Sequence, residues 1–468
     1  MNELREVKIG KTFSEIKNLA IRHFQKREVQ IPSGFTSGEF NELRNSFIRE
    51  LSVYLNKDIS GKPLIVTGHQ PEFHHPGILW KDFLACRIAS DVDGVALHIS
   101  VDTDEFEIGL SYPVLFSPDE AAKKHFVIPS DKYGIFLNSR LTSDDRKKLK
   151  THIKEANENA VNFLIGDSLA LAQKSLLEIE NSIDASGDIS GFLENQRVGF
   201  LNEMGVNIRS IPVSFLASLP AFKLFSRKVS ERLPVFIEAF NRSLHEYRVL
   251  HKIKNPAQPL PEIREGDMPF WILDKDSGKR LHVPQNAFDD QLIPRAITLT
   301  MFIRIFLADF FIHGTGGGRY EAISDNVLLQ FFGTGFCDYT ISTATMNLTP
   351  KEKFPLDFPD EKEIENAIRD LKHSPEKFLP SGHPLALEKR ELLIKFKDPA
   401  FSKKDLHVQL TCLNEKMSNL LTQEKIRWEK EKLNFPKNHH AAEVFHSRDF
   451  PYFYYNVREL YEYSGKLG

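Results

Sequence analysis

The sequence predicts an α/β fold with a mostly parallel sheet, and three observations carry that expectation. The run PLIVTGHQ is a short apolar strand ending in a tight turn, and ILWKDFLACRIAS after it reads as a helix. GVALHISVDTDEFE is a second β-rich run that ends in acids. Apolar strands that alternate with helices, with little polar residue between, belong to a sheet covered on both faces. The most apolar long stretch, residues 296–312 (AITLTMFIRIFLADFFI), carries Arg304 and Asp309 in its interior. Two charges at mid-membrane would be costly, and the stretch is short for a span, so it reads as a buried helix of a large core.

The remaining elements follow in order. Residues 1–60 are expected to be a helical lead-in, because Phe40, Leu43, Phe47, Leu51 and Tyr54 recur at helical spacing over 38–56. Residues 61–345 form the core. Within it FVIPS and IPVSFLA read as strands, and 151–181 and 221–252 as helices. NPAQPLPEI is turn-rich and closes a unit. MPFWILDKDSGKRLHV predicts a hairpin turning through Asp276, Ser277 and Gly278. Residues 346–403 are expected to be a linker with connector helices, since NLTPKEKFPLDFPDEKE is rich in proline and charge. Residues 404–435 predict one long helical arm. Leu406, Leu410, Leu413, Met417 and Leu420 alternate in steps of four and three, the spacing of a coiled-coil seam. That pattern covers barely two heptads, so a packed helix and a coiled coil both remain open. The aromatic residues 436–468 are expected to return to the core.

Composition removes several classes. At 41% hydrophobic and 27% charged, with 37 phenylalanines, the 468-residue chain has the makings of a sizeable core, which excludes a disordered protein. A net charge of −3 argues against nucleic acid as a partner. Cys86, Cys337 and Cys412 are far apart and form no CxxC pair, so neither a zinc ribbon nor a disulfide framework is readable. That usage suits a reducing compartment. The opening MNELREVKIGKTFSEIKN has no apolar signal region. The expectation is a cytoplasmic chain with no membrane partner.

Chemistry concentrates first in VTGHQPEFHHPG. Thr67 ends a strand, Gly68 permits a tight turn, and His69, Gln70, His74 and His75 follow before a helix that Pro76 can open. In open α/β sheets, ligands settle beyond the carboxyl ends of strands, where the next helix presents free N–H groups to an anion. This predicts an anion or nucleotide site in which histidines contact phosphate oxygens. The bland reading is that these histidines only satisfy turn backbone.

In HISVDTDEFE, Asp102 and Asp104 are two apart and share one side of an extended chain. They could hold a cation, accept from an amine or ribose, or act as a base. With Glu105 and Glu107 beside them, a solvated acidic turn is the alternative. In FIHGTGGGRYEAISD, residues His313, Gly314, Gly316, Gly317, Gly318, Arg319 and Tyr320 read as a bend between two helices. So many glycines let backbone amides approach a ligand, and Arg319 could clamp an anion. It is not the dinucleotide fingerprint, because Arg319 occupies the third glycine position and a helix is expected before it. Arg295, at the start of the buried helix, is a secondary anion candidate. Asn241, Tyr247 and Arg248 form a polar cluster that suits structure or site equally.

The ordered set of these motifs resembles the cysteine ligases of bacillithiol biosynthesis. Thr67, Gly68 and Gln70 match the family's V-T-G-[HQ]-Q strand end, and Asp102 and Asp104 match its D-H-D-F acids. LIPRAI, the apolar stretch, Gly314, Gly316, Tyr320 and the terminal FG match its third region. The likeness spans residues 60–345. It implies a Rossmann-like core related to nucleotidyltransferases, a coiled-coil arm, and the joining of cysteine to a glucosamine-malate conjugate. The departures are His69 for the usual glutamine, Thr103 for a histidine, Gly318 or Arg319 where an acid is expected, and His74 and His75 without counterparts.

The leading expectation is therefore a ligase forming an amide on a small amino-sugar-like acceptor, with ATP or another nucleotide as cofactor. His69, Asp102 and Asp104 are its candidate catalytic groups. Thr67, Gly68, Gln70, His74, His75, Arg295, His313, Gly314, Gly316, Gly317, Arg319 and Tyr320 are its candidate binding groups. The partner is a small-molecule substrate, and a homodimer is left open. A metal-dependent hydrolase or sugar transferase using His69, His74, Asp102 and Asp104 is the alternative, although their spacing matches no closed motif. A non-catalytic nucleotide-binding relative is the third reading.

Overall fold

The computed structural model describes residues 4–105, 108–117, 120–128, 135, 139–185, 187–264, 266–274, 278–284, 292–348, 359–380, 382–396 and 401–467. Glu107, the turn residues Asp276 and Ser277, and 349–358 of the expected linker lie outside the described residues.

The strands are β1 (Leu4–Ile9), β2 (Leu64–His69), β3 (Val95–Ser100), β4 (Ile108–Ser117), β5 (Glu120–Ile128), β6 (Arg209–Pro212), β7 (Asp267–Leu273), β8 (Arg280–Pro284), β9 (Leu292–Pro294), β10 (Phe310–His313) and β11 (Tyr339–Met346). Six of them form the central sheet, in the order β1-β11-β10-β2-β3-β6. Only β1 is antiparallel to its neighbour. The fold is thus α/β with a mostly parallel sheet. From β2 the chain builds outward through β3 to β6, then returns to place β10 on the other side of β2 and continues to β11. The order reverses between β2 and β10, and at such a switch point the loops diverge and leave a crevice at the strands' carboxyl edge. Two smaller sheets are antiparallel, β4-β5 and β8-β7-β9.

Several expectations are corrected. The stretch 296–312 is not one helix: a helix covers Ala296–Phe306, and Phe310–His313 is the central strand β10. Asp309 forces the break. Its carboxylate, fully buried, accepts from the Leu64 amide at 2.9 Å and pairs with His23 at 3.2 Å and Arg27 at 3.3 Å. The glycine-rich bend therefore follows a strand, and strand–turn–helix occurs twice, once on each side of the switch point. The lead-in is not wholly helical either, since Leu4–Ile9 adds an edge strand against β11. In IPVSFLA the strand stops at Pro212, and Val213–Ser218 is a short helix.

The chain forms two compact units. The first comprises residues 1–114, 123–351 and 446–468. On one side of its sheet, phenylalanine rings meet edge-on or tilted: Phe302 lies 5.2 Å from Phe222 and 5.5 Å from Phe47, and Phe306 lies 5.2 Å from Phe40. On the other side, the Pro76–Asp91 helix packs on the sheet and is covered by the Val457–Gly465 helix. Phe83 meets Tyr461 at 5.4 Å, and Trp80 meets Tyr463 at 5.8 Å. Lys81 and Asp82 of that helix are consequently 2% and 0% exposed.

The second unit comprises residues 115–122 and 352–445. Its expected single helix over 404–435 breaks at Leu421 into Lys403–Leu420 and Thr422–Phe445. Leu406, Leu413 and Met417 are buried, while Leu420 of the proposed seam is 62% exposed. Among the described residues, no helix is long and apolar enough to cross a membrane.

Candidate functional site

The crevice at the switch point holds a cavity of about 510 Å³ within the first unit. One wall is the end of β2, where Gly68, His69 and Gln70 leave the sheet. A Cβ at Gly68 would sit 2.6 Å from the Ile99 carbonyl oxygen of β3, so only glycine lets the two strands run this close. The opposite wall is the end of β10 with His313, Gly314, Gly316 and Gly317, and Tyr320 lies one turn on. A Cβ on Gly317 would lie 2.7 Å from His313 Nδ1, so that glycine makes room for the imidazole. Asp104 closes a third side. Segments around residues 69, 104 and 314 thus meet around one space.

Three helix amino ends border it. Gly77 and Ile78 belong to the Pro76–Asp91 helix, Ala296 to Ala296–Phe306, and Thr315 to Gly317 begin Thr315–Phe332. At the last of these, Gly314 occupies the N-cap and no side chain caps the first amides. Free amides and the partial positive charge of a helix amino end favour an anion.

Lys81 lies in the cavity wall, and sequence reasoning missed it. Its Nζ donates to the Gly68 carbonyl at 2.7 Å, and no described residue offers it a carboxylate within salt-bridge range. Burial lowers its pKa to about 8, against a smaller opposing pull from Asp82. The signal was present in the sequence: a lysine inside ILWKDFLA, where every neighbour but one is apolar. Arg280 was also missed. It meets Asp104 Oδ1 at 2.6 Å, and Gln70 Nε2 donates to Asp104 Oδ2 at 2.8 Å, so this carboxylate is held from both sides.

His313 is 7% exposed, and its Nε2 lies 2.8 Å from Glu321 Oε1. Glu321 Oε2 in turn receives Arg304 Nη1 at 2.8 Å. Burial would raise the Glu321 carboxyl, but His313 and Arg304 outweigh it and hold it below the usual range. The interior arginine of the apolar helix thus serves the site at one remove. Burial pushes the Tyr320 phenol well above its ordinary range, so it stays a neutral donor.

Other candidates stand elsewhere. Thr67 is fully buried and donates to the Ile312 carbonyl at 2.9 Å, stitching β2 to β10. Asp102 is 2% exposed and turned away from the cavity, capping the Val213–Ser218 helix through the Ser214 amide at 2.9 Å and the Ser214 hydroxyl. Burial raises its pKa to about 6 despite those hydrogen bonds. Arg295 donates to the Phe270 carbonyl at 3.1 Å and covers the Trp271 ring at 4.0 Å. Arg319 is exposed and lines no described cavity. Asn241 hydrogen-bonds both backbone groups of Ile263, and Arg248 donates to the carbonyls of Gln258 and Leu260. Together they clamp the turn-rich segment.

His74 and His75 line a neighbouring cavity of about 680 Å³, with Glu72, Ser111, Lys123 and His125; His69 and Arg448 border both spaces. His75 caps the Pro76–Asp91 helix, its Nδ1 accepting from the Gly77 amide at 3.0 Å. Among the described residues, His69 and His74 group with neither aspartate: Asp102 faces away from the cavity and Asp104 stands in the wall of the first space. The acid that accompanies the two histidines is Glu72. Burial, with Lys81 adding to it, lowers the His69 pKa to about 3, so this imidazole is neutral and brings no positive charge to an anion. No protein-family model and no curated protein matches the chain.

Proposed function

We propose that the crevice is the active site of a ligase that uses a nucleotide to join an amine to a small carboxylic acid. In this reading the sheet is a Rossmann-like core, similar to that of the cysteine ligases of bacillithiol biosynthesis, with an amino-sugar-like acceptor. The observation that carries the proposal is the meeting of three distant segments around one cavity at the sheet's reversal point, with a buried unneutralised lysine in its wall. A buried cation without a carboxylate partner is costly unless a ligand completes it.

The roles follow from charge and position. Lys81 and the uncapped amides of Thr315–Gly317 bind phosphate or carboxylate oxygens. Asp104, oriented by Gln70 and Arg280, accepts the amine. His313, steadied by Glu321, and Tyr320 donate hydrogen bonds to the acceptor. A bound nucleoside triphosphate would supply a phosphoryl or adenylyl group to the acid's carboxylate oxygen, with the nucleoside diphosphate or pyrophosphate as leaving group. The amine then attacks the activated carbonyl carbon, the amide C–N bond forms, and phosphate or AMP leaves. The amine's proton passes to Asp104. The phosphate-binding role expected of His69 goes instead to Lys81, because a neutral ring gives little to an anion.

A thermal-shift panel of ATP, ADP, AMP, GTP, cysteine and amino-sugar acids tests this. A ligand at one hundred times its Kd stabilises the native state by about 2.7 kcal/mol. The expected result is a nucleotide shift that disappears in Lys81→Met. Failure of every nucleotide to raise the Tm would sink the proposal.

A further inference from the structure

We infer that His69, Glu72 and His74 form a binding site for one divalent transition ion of the zinc class, independent of the ligase reading. One ligand atom from each lies within 4.8 Å of the other two. In a tetrahedral site, bonds of about 2.0–2.1 Å place neighbouring donors roughly 3.3 Å apart. The trio therefore has to contract by up to about 1.5 Å on taking up the ion.

Two further observations point to a ligand. His74 is 4% exposed, and its Nε2 is buried without a hydrogen-bond partner. A buried polar atom left unpaired costs about 1–3 kcal/mol, so an orphaned imidazole nitrogen beside a second imidazole and a carboxylate calls for an occupant. His69 Nδ1 lies 3.2 Å from the Gln70 carbonyl oxygen. A proton on Nδ1 satisfies that contact and leaves the Nε2 lone pair for a metal, the orientation that backbone carbonyls impose on ligating histidines.

The loop that carries the three is fixed at both ends. His69 ends β2 in register with Ser100, and the Tyr452 amide donates to the His74 carbonyl at 2.6 Å. Between them Phe73 packs edge-on to Phe453 at 6.2 Å. Two imidazoles and one carboxylate suit zinc, manganese, cobalt or iron(II) better than magnesium or calcium, which prefer oxygen donors. Three protein ligands leave a fourth position open, which is the pattern of reactive rather than structural zinc sites. That position gives on the 680 Å³ cavity, where Arg448 adds positive charge and Lys123 is paired with Asp449. The substrate class for it is a small molecule with a carboxylate, phosphate or thiolate donor.

Zinc titration of the metal-stripped full chain against a chromophoric chelator tests the site. The expected result is one equivalent bound by the wild type, and affinity lowered at least about tenfold in Glu72→Gln and in His74→Asn. His125→Gln, in the same cavity but outside the trio, is expected to bind as the wild type does. Circular dichroism shows which variants fold. For any that does not, cobalt(II) is added to the wild type: a four-coordinate d–d spectrum supports the site, and a six-coordinate, water-like one overturns it. Substoichiometric zinc, or wild-type affinity in both ligand variants, also overturns it. Repeating the nucleotide thermal shifts in EDTA keeps the two hypotheses apart, since loss of metal removes one signal and leaves the other.

Discussion

Lys81 and Asp82 are consecutive, lie in one helix and are almost equally buried, yet their surroundings are opposite. Asp82 receives Arg197 Nη1 at 2.6 Å and His98 Nδ1 at 2.7 Å, and Arg197 also pairs with Glu194 at 2.5 Å. Burial would raise the Asp82 carboxyl, but His98 and Arg197 bring its pKa down to about 2. Among the described residues, Lys81 has only the Gly68 carbonyl. One cluster is closed, each of its carboxylates paired within it, as a structural network must be. The other is incomplete and faces a cavity. Burial does not separate the two charges; the carboxylate or cation partner that Asp82 has and Lys81 lacks among the described residues does.

The largest expected effect comes from breaking the closed cluster. Arg197→Met leaves Asp82 and Glu194 in the interior without their common cation, and truncating one side of such a pair typically costs 3–5 kcal/mol. Urea unfolding of the variant is expected to show a loss of that size. A loss under about 1 kcal/mol would mean that the network is not what holds the Pro76–Asp91 helix to Ile189–Glu203.

The open cluster is expected to respond in the other direction. Lys81→Met removes a buried charge with no carboxylate beside it and keeps the side chain's length. Stability rises by about 1–4 kcal/mol, the range found when buried ions give way to apolar groups, while ligand-induced stabilisation is lost. A variant that is both less stable and still stabilised by nucleotide would place Lys81 with Asp82 as a structural charge and erase the distinction.

How much of this could be read from residues alone follows the same division. Strands and turns were legible around Gly68 and Asp104 because period and turn chemistry are local. The stretch 296–312 misled because a helix and a buried strand are equally apolar; only Asp309, paired with residues nearly 300 positions away, ends the helix. Asp102 and Asp104 share a side on an extended chain, but the chain turns after Ser100, so one caps a helix and the other faces the cavity. Glu72 carries no signal in the sequence because its meaning depends on the fold of the loop that carries it. Sequence spacing singles out candidate residues, and only packing shows which of their charges are spent.

The turn of Asp102 away from the cavity makes a smaller, pH-dependent prediction. Its pKa rises from the ordinary 3.8 to about 6 because burial disfavours its charge, and Asp188 adds to the effect. Between these values the folded protein holds a proton that the unfolded chain has lost. Stability from this group is therefore fully present below about pH 4 and declines as pH rises through about 6. Asp102→Asn removes that dependence. The wild-type minus variant difference, from urea midpoints at pH 4 to 7, is expected to fall by on the order of 2 kcal/mol. A difference that stays flat, or rises, would mean that the Ser214 hydrogen bonds dominate burial.

The smallest effect is expected where the sequence alone is most inviting. Arg319 follows the glycines directly, and an arginine beside free amides is a plausible anion clamp. Its side chain is nevertheless exposed, and the helix that begins at Thr315 carries it away from the amides that border the cavity. An exposed arginine keeps its hydration and its rotamer freedom, so removing it changes stability by less than about 0.5 kcal/mol. Arg319→Ala is expected to leave both urea stability and the nucleotide thermal shift within error of the wild type. A lost shift in Arg319→Ala with an intact one in Lys81→Met would exchange the two residues' roles, showing that the anion is held at the rim by a solvated charge and not in the wall by a desolvated one.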